Sequence, residues 1–325
     1  MKRSTMWLAC AAGLACTGSP PALADPFLTR NQHPFVQLFG LPAPLPARLP
    51  QPGTGNAILM FNWSNTAVEE RRGSDSFTLD EEVVETRLVV DYAIGTRFAV
   101  HAELAYRDLS GGSLDGFIDG WHDFWGLPGG SRNRLRRDAL LIRYQRGSTT
   151  EFRIDQDTTG FADIPVSAGW QWLATDTGAL AAWVTIKAPT GSAKDLTGSG
   201  AADAALSFAG QRNLSEHWQV FGQADVTWLG QGDSMPGLQQ DYAWSLLGGA
   251  TWNPWRRLDL TVQLAANSKV FDTGLAGFDG DAVVFTFGGD YRTAGGWRFD
   301  LGISEDIEVE RSPDVVFNLA FRRAF

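Results

Sequence analysis

Apolar and polar residues alternate over most of the chain. In the stretch WQVFGQADVTW, from Trp218 to Trp228, the even positions are apolar or small and the odd positions are mostly polar. A period of two over this length is typical of a β-strand whose two faces meet different surroundings. The pattern begins near Asn56 and recurs up to the end of the chain. We therefore predict an all-β fold for residues 56–325.

The connections between these segments are short and long in alternation. The short ones contain turn residues, such as Gly95 and Asn253-Pro254. The long, polar ones lie near 67–81, 109–137, 189–200, 230–239, 270–280 and 306–313. This alternation predicts an up-and-down antiparallel meander with tight turns at one end and loops at the other. Counting hairpins predicts 14 strands if Glu151–Asp157 is a strand, and 12 if that piece and a neighbour are loops.

Aromatic residues mark both ends of the apolar face. Trp218 and Trp228 stand at the two ends of one segment, and Tyr242 and Trp252 repeat the same spacing on the next. At about 3.3 Å per residue and a strand tilt of about 40°, this spacing spans roughly 25 Å, the height of the apolar band on a membrane barrel. Aromatic rings with a polar edge favour the two water interfaces of a bilayer. We predict a transmembrane β-barrel with this aromatic girdle, an outward face in lipid and a wet lumen, because a soluble sandwich needs no girdle.

The N-terminal region follows a different pattern. Lys2 and Arg3 precede a short apolar stretch, and Ala22-Leu23-Ala24 fits a small-x-small cleavage site. These features predict a secretory signal peptide over residues 1–24. Residues 25–55 are rich in proline, which excludes a helix or a central strand. We predict an arm on the short-turn, periplasmic side that either plugs the lumen or lies as a strap across the barrel base.

Composition narrows the classes of function. The net charge is −10 and the chain has no basic cluster, so we expect no nucleic-acid partner. Cys10 and Cys16 both fall in the predicted signal peptide, which leaves no thiol in a chain that begins at residue 25. Asp119, His122 and Asp123 would suffice as metal ligands, but such residues are common in loops. We therefore predict no metal and no cofactor.

The C-terminal segment resembles the closing strand of bacterial outer-membrane proteins. Phe325 ends the chain, and Phe317, Leu319 and Phe321 precede it with the same alternating spacing. In that class of protein the closing strand is bound by the barrel-assembly machinery. The resemblance therefore implies this partner and a location in the outer membrane of a Gram-negative bacterium. Arg323 departs from the pattern, since an apolar residue is usual there, and we expect it to extend toward the interface.

Longer motifs extend the resemblance over most of the mature chain. They are HPFVQLFGLP in the arm, FIDGWHDFWGLPGGSRNR in the 109–137 loop and VTIKAPTGS at a strand end. Together with the terminal strand, they resemble an uncharacterised family of proteobacterial outer-membrane proteins known only as a domain of unknown function. The resemblance implies a fold and a location, and it implies no chemistry.

The 109–137 loop is predicted to contain a helix. Its apolar residues fall at helical spacing: Phe117, Ile118, Trp121, Phe124 and Trp125. Three roles stay open for this helix. It would act as a gate over the mouth through Trp121, His122, Phe124 and Trp125, or lie in the outer interface, or belong to a loop that plugs its own barrel.

Charged residues supply the other candidate sites. Arg132, Arg134 and Arg136 follow the predicted helix, where they would bind lipopolysaccharide phosphates or pair with acids of the same mouth. Strand parity predicts a further set that lines the lumen: Arg87, Asp91, Arg97, His101, Glu103, Arg107 and Asp225. This lumen set would either line a polar conduit or stabilise a filled interior through ion pairs.

Two functions follow from this reading. The first is a channel or transporter that is gated by the arm and the 109–137 loop. Its solute would be small, and a hydrophobic solute is one option. The alternative is a structural or assembly-related envelope barrel without a conduit. A lipid-modifying enzyme needs a serine and a histidine within hydrogen-bond reach at the lipid face. Because His101 points inward by parity, we predict no catalytic residue and no enzyme.

Overall fold

The alternating segments form β-strands that pair into one antiparallel sheet. A computed structural model describes residues 25–126, 128–308 and 310–325, and the predicted signal peptide lies outside the described residues. The strands are β1 (Gly55–Arg72), β2 (Asp75–Ile94), β3 (Phe98–Ser110), β4 (Leu141–Arg146), β5 (Thr149–Ile154), β6 (Thr158–Phe161), β7 (Ile164–Ala174), β8 (Gly178–Ala188), β9 (Asp203–Asn213), β10 (Trp218–Trp228), β11 (Tyr242–Trp255), β12 (Leu258–Asn267), β13 (Ala282–Arg292), β14 (Trp297–Asp306) and β15 (Val315–Ala324). The helices are α1 (Asp115–Trp125), α2 (Ala276–Asp279) and the two short 3-10 helices Val36–Leu38 and Arg132–Arg134.

Twelve of the strands close into a barrel. Neighbours pair antiparallel in the order β1, β2, β3 and then β7 through β15, and β15 pairs again with β1. A closed wall satisfies its backbone hydrogen bonds without an open edge, which is what a strand-built structure requires in lipid. The predicted all-β, up-and-down transmembrane barrel is confirmed.

The connections distinguish the two ends of the barrel. One end, called the short-turn end below, carries the turns 95–97, 175–177, 214–217, 256–257 and 293–296. The opposite end, called the long-loop end, carries the connections 111–163, 189–202, 229–241, 268–281 and 307–314. The predicted loop 67–81 is instead a long hairpin at this end, because β1 and β2 stay paired as far as Arg72 and Asp75.

The barrel has the lower of the two predicted strand counts. β4 and β5 form a hairpin that pairs with the part of β2 nearest the long-loop end, and β6 pairs with the end of β3. These three strands extend the sheet beyond the barrel wall without crossing it. The count of 14 includes this hairpin, whose turn at residues 146–148 resembles a tight turn between barrel strands in sequence.

The chain termini of the barrel meet at the short-turn end. The backbone of Phe325 exchanges two hydrogen bonds of 2.9 Å with Gly55, the first residue of β1. The Phe325 ring also stacks on Tyr92, with 6.5 Å between ring centroids. The last residue of the chain therefore closes the wall against the first strand.

The two faces of the wall differ as the alternation predicts. Trp218 and Trp252 are cross-strand partners whose rings stack 6.0 Å apart, and Trp228 lies opposite Tyr242 at the other end of the same pair of strands. Exposed aliphatic side chains cover the outer surface between these aromatic pairs, for example Val226 on β10 and Leu246 on β11. Among the described residues, no helix has the length and apolarity needed to cross a membrane.

An arginine substituted on the outer face should lower the stability of the barrel only if its position lies inside the apolar band. Val262 faces outward near the middle of β12 and is 50% exposed. We predict that Val262→Arg lowers the free energy of unfolding by about 2–4 kcal/mol, because a guanidinium is poorly solvated near a bilayer midplane. Urea unfolding of the barrel in liposomes measures this change. The control is Leu214→Arg in a short turn, for which we predict less than about 1 kcal/mol, and equal losses in the two variants would contradict the assignment of the outer face.

Candidate functional site: the arm inside the lumen

The proline-rich arm, residues 25–54, enters the barrel at the short-turn end and runs up inside it. Arg322 on β15 donates to the Pro26 carbonyl at 3.2 Å, close to the start of the arm. Gln263 on β12 donates to the Phe27 carbonyl at 3.2 Å and to the Thr29 hydroxyl at 3.0 Å. Asn31 then bonds Asn267 at the long-loop end of the same strand, at 3.1 Å. This first limb therefore follows β12 through the full height of the lumen.

The tip of the arm packs into an apolar cluster at the long-loop end. The Phe35 ring is fully buried and makes edge contacts with Phe278, Phe152 and Phe271 at centroid separations of 4.5, 5.3 and 6.0 Å. The mouth cluster, as we call it, joins residues of the arm, the wall and the long-loop connections: Phe35, Leu38, Phe39, Leu41, Val68, Phe77, Leu79, Val83, Leu109, Ile142, Tyr144, Ile154, Leu196, Leu229, Met235, Ala243, Val270, Phe271, Leu275 and Phe278. Burial of this apolar surface closes the mouth from within.

A buried lysine fixes the arm just after its tip. Lys187 Nζ donates to the Leu38 carbonyl at 2.8 Å and to Ser199 Oγ at 2.7 Å. The same ammonium lies 2.7 Å from Asp163 and 3.0 Å from Asp203, and its side chain is 3% exposed. The backbone N–H of Gly40 donates to Asp203 as well, at 2.7 Å. Lys187 therefore joins two long-loop connections and the first residue of β9 to one carbonyl of the arm.

The second limb returns along the wall formed by β10, β8 and β7. Gln223 on β10 accepts from the Leu45 N–H at 2.7 Å and donates to the Ala43 carbonyl at 3.2 Å. Gln171 on β7 donates to the Ala47 carbonyl at 2.9 Å and accepts from the Leu49 N–H at 2.8 Å. The wall thus offers amide side chains at the spacing of the extended arm, and each amide matches one donor and one acceptor of the arm backbone.

An inward tryptophan also holds the return limb. Trp183 on β8 is 1% exposed, and its indole Nε1 donates to the Pro46 carbonyl at 3.0 Å. Its ring lies against Gly169 on β7, where an added Cβ would stand 2.6 Å from ring atoms. Only glycine at that wall position leaves room for the indole, so Gly169 and Trp183 form one unit.

A buried ion network occupies the lumen below the mouth cluster. Arg87 on β2 pairs with Glu85 and lies 3.4 Å from Glu103 on β3. Arg107 donates from Nε to Glu85 at 2.9 Å and from Nη2 to the Gln37 carbonyl of the arm at 3.3 Å. Because loss of one partner would leave a buried charge unpaired, the network ties the arm to β2 and β3.

His101 lies at the lower edge of this network. Its Nδ1 is 2.7 Å from Asp91 and its Nε2 is 3.2 Å from Glu103. Both ring nitrogens are therefore engaged with carboxylates, and neither faces a serine that it would activate.

The structure distributes the predicted lumen residues unevenly. Arg87, Asp91, His101, Glu103, Arg107 and Asp225 are buried on the inner face. Arg97 is exposed in the turn 95–97 before β3 and does not line the lumen, because β3 begins at Phe98. Asp225 accepts from Gln223 at 2.9 Å and from Ser245 at 2.8 Å, so it supports the side chain that binds the return limb.

The helix predicted in the 109–137 loop exists as α1, but it lies outside the barrel. Ile118 on α1 is buried against Val315, with the outward residues Ile303 and Phe317 packed beside it. Trp121 Nε1 donates to Glu305 on the outer face of β14 at 2.8 Å. The gate predicted from Trp121, His122, Phe124 and Trp125 therefore does not cover the mouth. The position agrees with the interfacial alternative, and the gate-like aromatic residues belong to the arm and to the 268–281 connection.

The three predicted lipopolysaccharide arginines also differ from one another. Arg132 is buried, where it pairs with Asp115 at 2.6 Å and with Asp314, so it anchors the loop and is not available to a ligand. Arg134 and Arg136 are exposed. Burial raises the pKa of Asp314 to about 6, although Arg132 acts in the opposite direction. Burial and the same arginine lower the pKa of the His122 imidazole.

Two cavities follow the arm inside the wall. One of about 40 Å³ lies between the arm and β10–β12, with Phe39, Leu41 and Asp225 among its lining residues. A larger one of about 290 Å³ lies at the short-turn end, between Leu28 of the first limb and Pro46 of the second, and reaches His101. The lumen therefore holds separate spaces that the arm divides.

Sequence reasoning missed the residues that hold the arm. Lys187 lies within VTIKAPTGS, where a single cation at a strand end resembles an ordinary surface residue. Trp183 stands on the face of β8 that otherwise carries small or polar residues. A tryptophan on that inward face is the one sequence feature that could have identified it as a residue that binds the arm. Phe271, Leu275 and Phe278 also stand out as apolar residues in a long, otherwise polar connection.

The sequence matches, over residues 9–325, a family described as a protein of unknown function, DUF3187. The chain belongs to the DUF3187 family. This confirms the resemblance to an uncharacterised outer-membrane family. A comparison of the DUF3187 chain with curated proteins finds no match.

Solved structures share the fold of the DUF3187 barrel. The COG4313 outer membrane channel from Pseudomonas putida F1 superposes with a TM-score of 0.58 at 17% identity, covering 86% of this chain and 98% of that one. The NanC porin has a TM-score of 0.47 at 9% identity, covering 82% and 98%. The KdgM porin has a TM-score of 0.45 at 7% identity, covering 83% and 99%. At 17% identity the first of these likenesses concerns the fold alone, a closed antiparallel β-barrel.

Removal of the Lys187 ammonium should loosen the arm of the DUF3187 barrel. In Lys187→Met, Asp163 and Asp203 stay buried without their cation, so we predict a loss of about 3–5 kcal/mol in the free energy that holds the arm. Trypsin should then cleave after Arg48 faster than in the unmodified protein, and the rate of that cleavage is the measurement.

The matched control is Lys269→Met, which removes an exposed pair with Asp272, with the two side chains 39% and 66% exposed. An exposed pair contributes about 0–1 kcal/mol, so the cleavage rate should not change. Equal cleavage rates in Lys187→Met and the unmodified protein would show that the ammonium does not hold the arm.

Proposed function

We propose that this protein is an outer-membrane channel for a small solute, closed in the described state by its own arm. The observation that carries the proposal is the mode of arm attachment. Side chains of the wall bind one or two backbone groups of the arm each, as Lys187 binds the Leu38 carbonyl and Gln223 binds the Leu45 N–H and the Ala43 carbonyl. Such contacts break and form again without unfolding the wall, because the barrel ladder is complete without them.

The proposed location is the outer membrane of a Gram-negative bacterium. The closed wall, its outer aromatic pairs and the terminal Phe325 support this location, and so does the fold shared with an outer membrane channel. In that membrane the short turns face the periplasm and the long loops face outward. The arm therefore enters from the periplasmic side, and the mouth cluster faces the exterior. We propose the barrel-assembly machinery as the partner that binds the closing strand with Phe317, Leu319, Phe321 and Phe325.

The chemistry of the mouth favours an apolar solute. A water-filled porin has a polar interior, whereas this mouth buries Phe35, Phe271 and Phe278 against one another. When the arm withdraws, the rings on the wall side would keep an apolar surface that an apolar solute can cover. A polar solute would make no interaction with this surface that it does not already make with water. We therefore propose a small hydrophobic molecule as the transported class.

The lumen supports a route along the arm. The cavity of about 40 Å³ touches Phe39 of the mouth cluster, and the cavity of about 290 Å³ lies near the periplasmic end. The arm separates these two spaces, so a shift of its return limb would join them. The arm thus acts as both plug and gate, and α1 has no part in the gate.

A structural envelope barrel is the second candidate function. The buried ion network of Arg87, Glu85 and Arg107 favours it, because paired charges that also contact the arm stabilise a filled interior. We propose no enzymatic activity in either case, since both nitrogens of His101 are engaged by carboxylates.

Ion conductance in planar bilayers separates the two functions. For the mature protein we predict no opening steps, or rare ones, in the recorded current. We predict frequent opening steps for Lys187→Met and a steady open-channel current for the barrel that lacks residues 25–54. The expected order follows from the strength with which the arm is held. Lys269→Met is the control and should behave as the unmodified protein, and a heat-modifiable gel shift checks that each variant is a folded barrel.

A folded barrel that stays closed without its arm would contradict the channel and favour the structural function. Solute class is measured separately, by uptake of a small apolar dye and of a sugar of similar size into cells that carry Lys187→Met. Faster uptake of the sugar than of the dye would contradict an apolar cargo.

A further inference from the structure

Helix α1 is attached to the outer surface of the barrel by several directed contacts. Glu82 on β2 accepts from the backbone N–H groups of Ser113 and Leu114 at 2.9 and 2.8 Å, just before the helix begins. Asp115 in its first turn accepts from Asn65 on β1 at 3.0 Å. With the bond from Trp121 to Glu305, the helix is tied at its start and again just past its middle. It is therefore a fixed part of the wall and not a loose loop.

One face of α1 is a continuous aromatic surface. Phe117 contacts Trp121 at 6.3 Å between centroids, Trp121 contacts Trp125 at 5.8 Å, and Trp125 contacts Phe124 at 5.0 Å. Phe117, Phe124 and Trp125 are 52%, 77% and 60% exposed. The surface is continuous with the apolar outer wall, because Phe117 also packs on Phe317 of β15 at 5.7 Å.

The height of α1 on the wall matches a bilayer interface. Val315 is the outward residue of β15 nearest the long-loop end, and Ile118 of α1 covers it. The next outward residue is Phe317, whose cross-strand partner on β1 is Trp63. Opposite Val315 the outward residue of β1 is the polar Asn65, so polar outward residues begin at the level of α1. An amphipathic helix at the border of an apolar band lies with its apolar side among the acyl chains.

The segment after α1 places cations beside this border. Arg137 pairs with Asp119 of the helix at 2.5 Å, which fixes the basic segment against the polar side of α1. The side chain of Arg134 is 60% exposed, and Arg136 is exposed as well. Arg134 donates through Nη2 to Ser131 Oγ at 2.6 Å and to the Glu69 carbonyl at 3.2 Å. Its Nε lies 3.4 Å from the Glu69 carboxylate, an exposed pair that contributes little. The exposed Arg136 guanidinium and the Nη1 side of Arg134 therefore stay open to an anion from solvent.

We propose that α1 and the following segment form a binding surface for a phosphorylated lipid of the outer leaflet, lipopolysaccharide. Phe117, Phe124 and Trp125 contact its acyl chains, while Arg134 and Arg136 bind its phosphates through their planar guanidinium groups. Arg132 does not contact the lipid. It anchors the segment that carries Arg134 and Arg136 through its ion pairs with Asp115 and Asp314. The charge of the arginines complements the phosphates, and the apolar face complements the acyl chains.

The depth of α1 is tested with one reporter at two positions. Phe124→Cys and Asp123→Cys place a thiol on the aromatic and the polar side of the same helix, and both positions are exposed. With an environment-sensitive nitrobenzoxadiazole label and full barrels in liposomes, we expect blue-shifted emission at 124 and water-like emission at 123. The same emission at both positions would overturn the membrane position of α1.

The lipid class is tested by binding to the full barrel in detergent. Purified lipopolysaccharide, its dephosphorylated form and phosphatidylglycerol are compared by the midpoint of thermal unfolding. We expect stabilisation by lipopolysaccharide only, and an affinity about fivefold weaker in Arg134→Gln/Arg136→Gln, since exposed ion pairs are individually weak. The control is Arg153→Gln, which removes an exposed arginine paired with Asp155 on the β4–β5 hairpin side. Equal binding of the dephosphorylated form, or no change in the double variant, would overturn the phosphate assignment. Equal binding of phosphatidylglycerol, which also carries a phosphate, would overturn the assignment to lipopolysaccharide.

Discussion

The interior of this barrel depends on matching the backbone of an extended arm to side chains of the wall. A chain that crosses a closed lumen without strand partners must satisfy its N–H and C=O groups in another way. The wall supplies an ammonium, a carboxylate and an indole that each bind one backbone group of the arm. It also supplies two amides that each bind one N–H and one carbonyl. Lys187, Gln223 and Trp183 are the clearest cases, since each binds a carbonyl of the arm. Proline suits this chain because it removes donors that the wall would otherwise have to satisfy.

The same matching explains why the lumen is divided into an apolar and a charged layer. Near the long-loop end the arm presents Phe35 and Phe39 and is held by burial of aromatic surface. Between these two rings in the chain, the Gln37 carbonyl accepts from Arg107 on β3, which belongs to the buried ion network. The apolar layer resists water, and the charged layer fixes the register of the arm. A plug of this kind is stable as a whole, although most of its polar contacts are single hydrogen bonds.

The barrel wall could be predicted from the sequence because each strand alternates outward apolar residues with inward polar ones at every second position. The girdle of Trp218 and Trp252, the inward Arg87 and Glu103 and the closing Phe325 all follow from parity and need no tertiary information. The strand count was harder, because the β4–β5 hairpin has the same local pattern as a barrel hairpin and differs only in what it pairs with.

The candidate site was less predictable because it is built from contacts between distant parts of the chain. The helix α1 was recognised from its spacing, yet its spacing does not say which side of the wall receives its apolar face. The Arg132 side chain shows the same difficulty, since only the fold brings it to Asp115 and Asp314. The partnership of Gly169 with Trp183 has no signature in either residue alone.

The central claim is that the arm lies inside the lumen with its backbone bonded to the wall. Hydrogen exchange of the full barrel in detergent tests this directly at the amides of Gly40, Leu45 and Leu49, which donate to Asp203, Gln223 and Gln171. We predict exchange at least about 100-fold slower than for an unstructured chain, because these amides open only when the arm leaves. Exchange of the three amides at unstructured rates, in a barrel whose strands stay protected, would contradict the account.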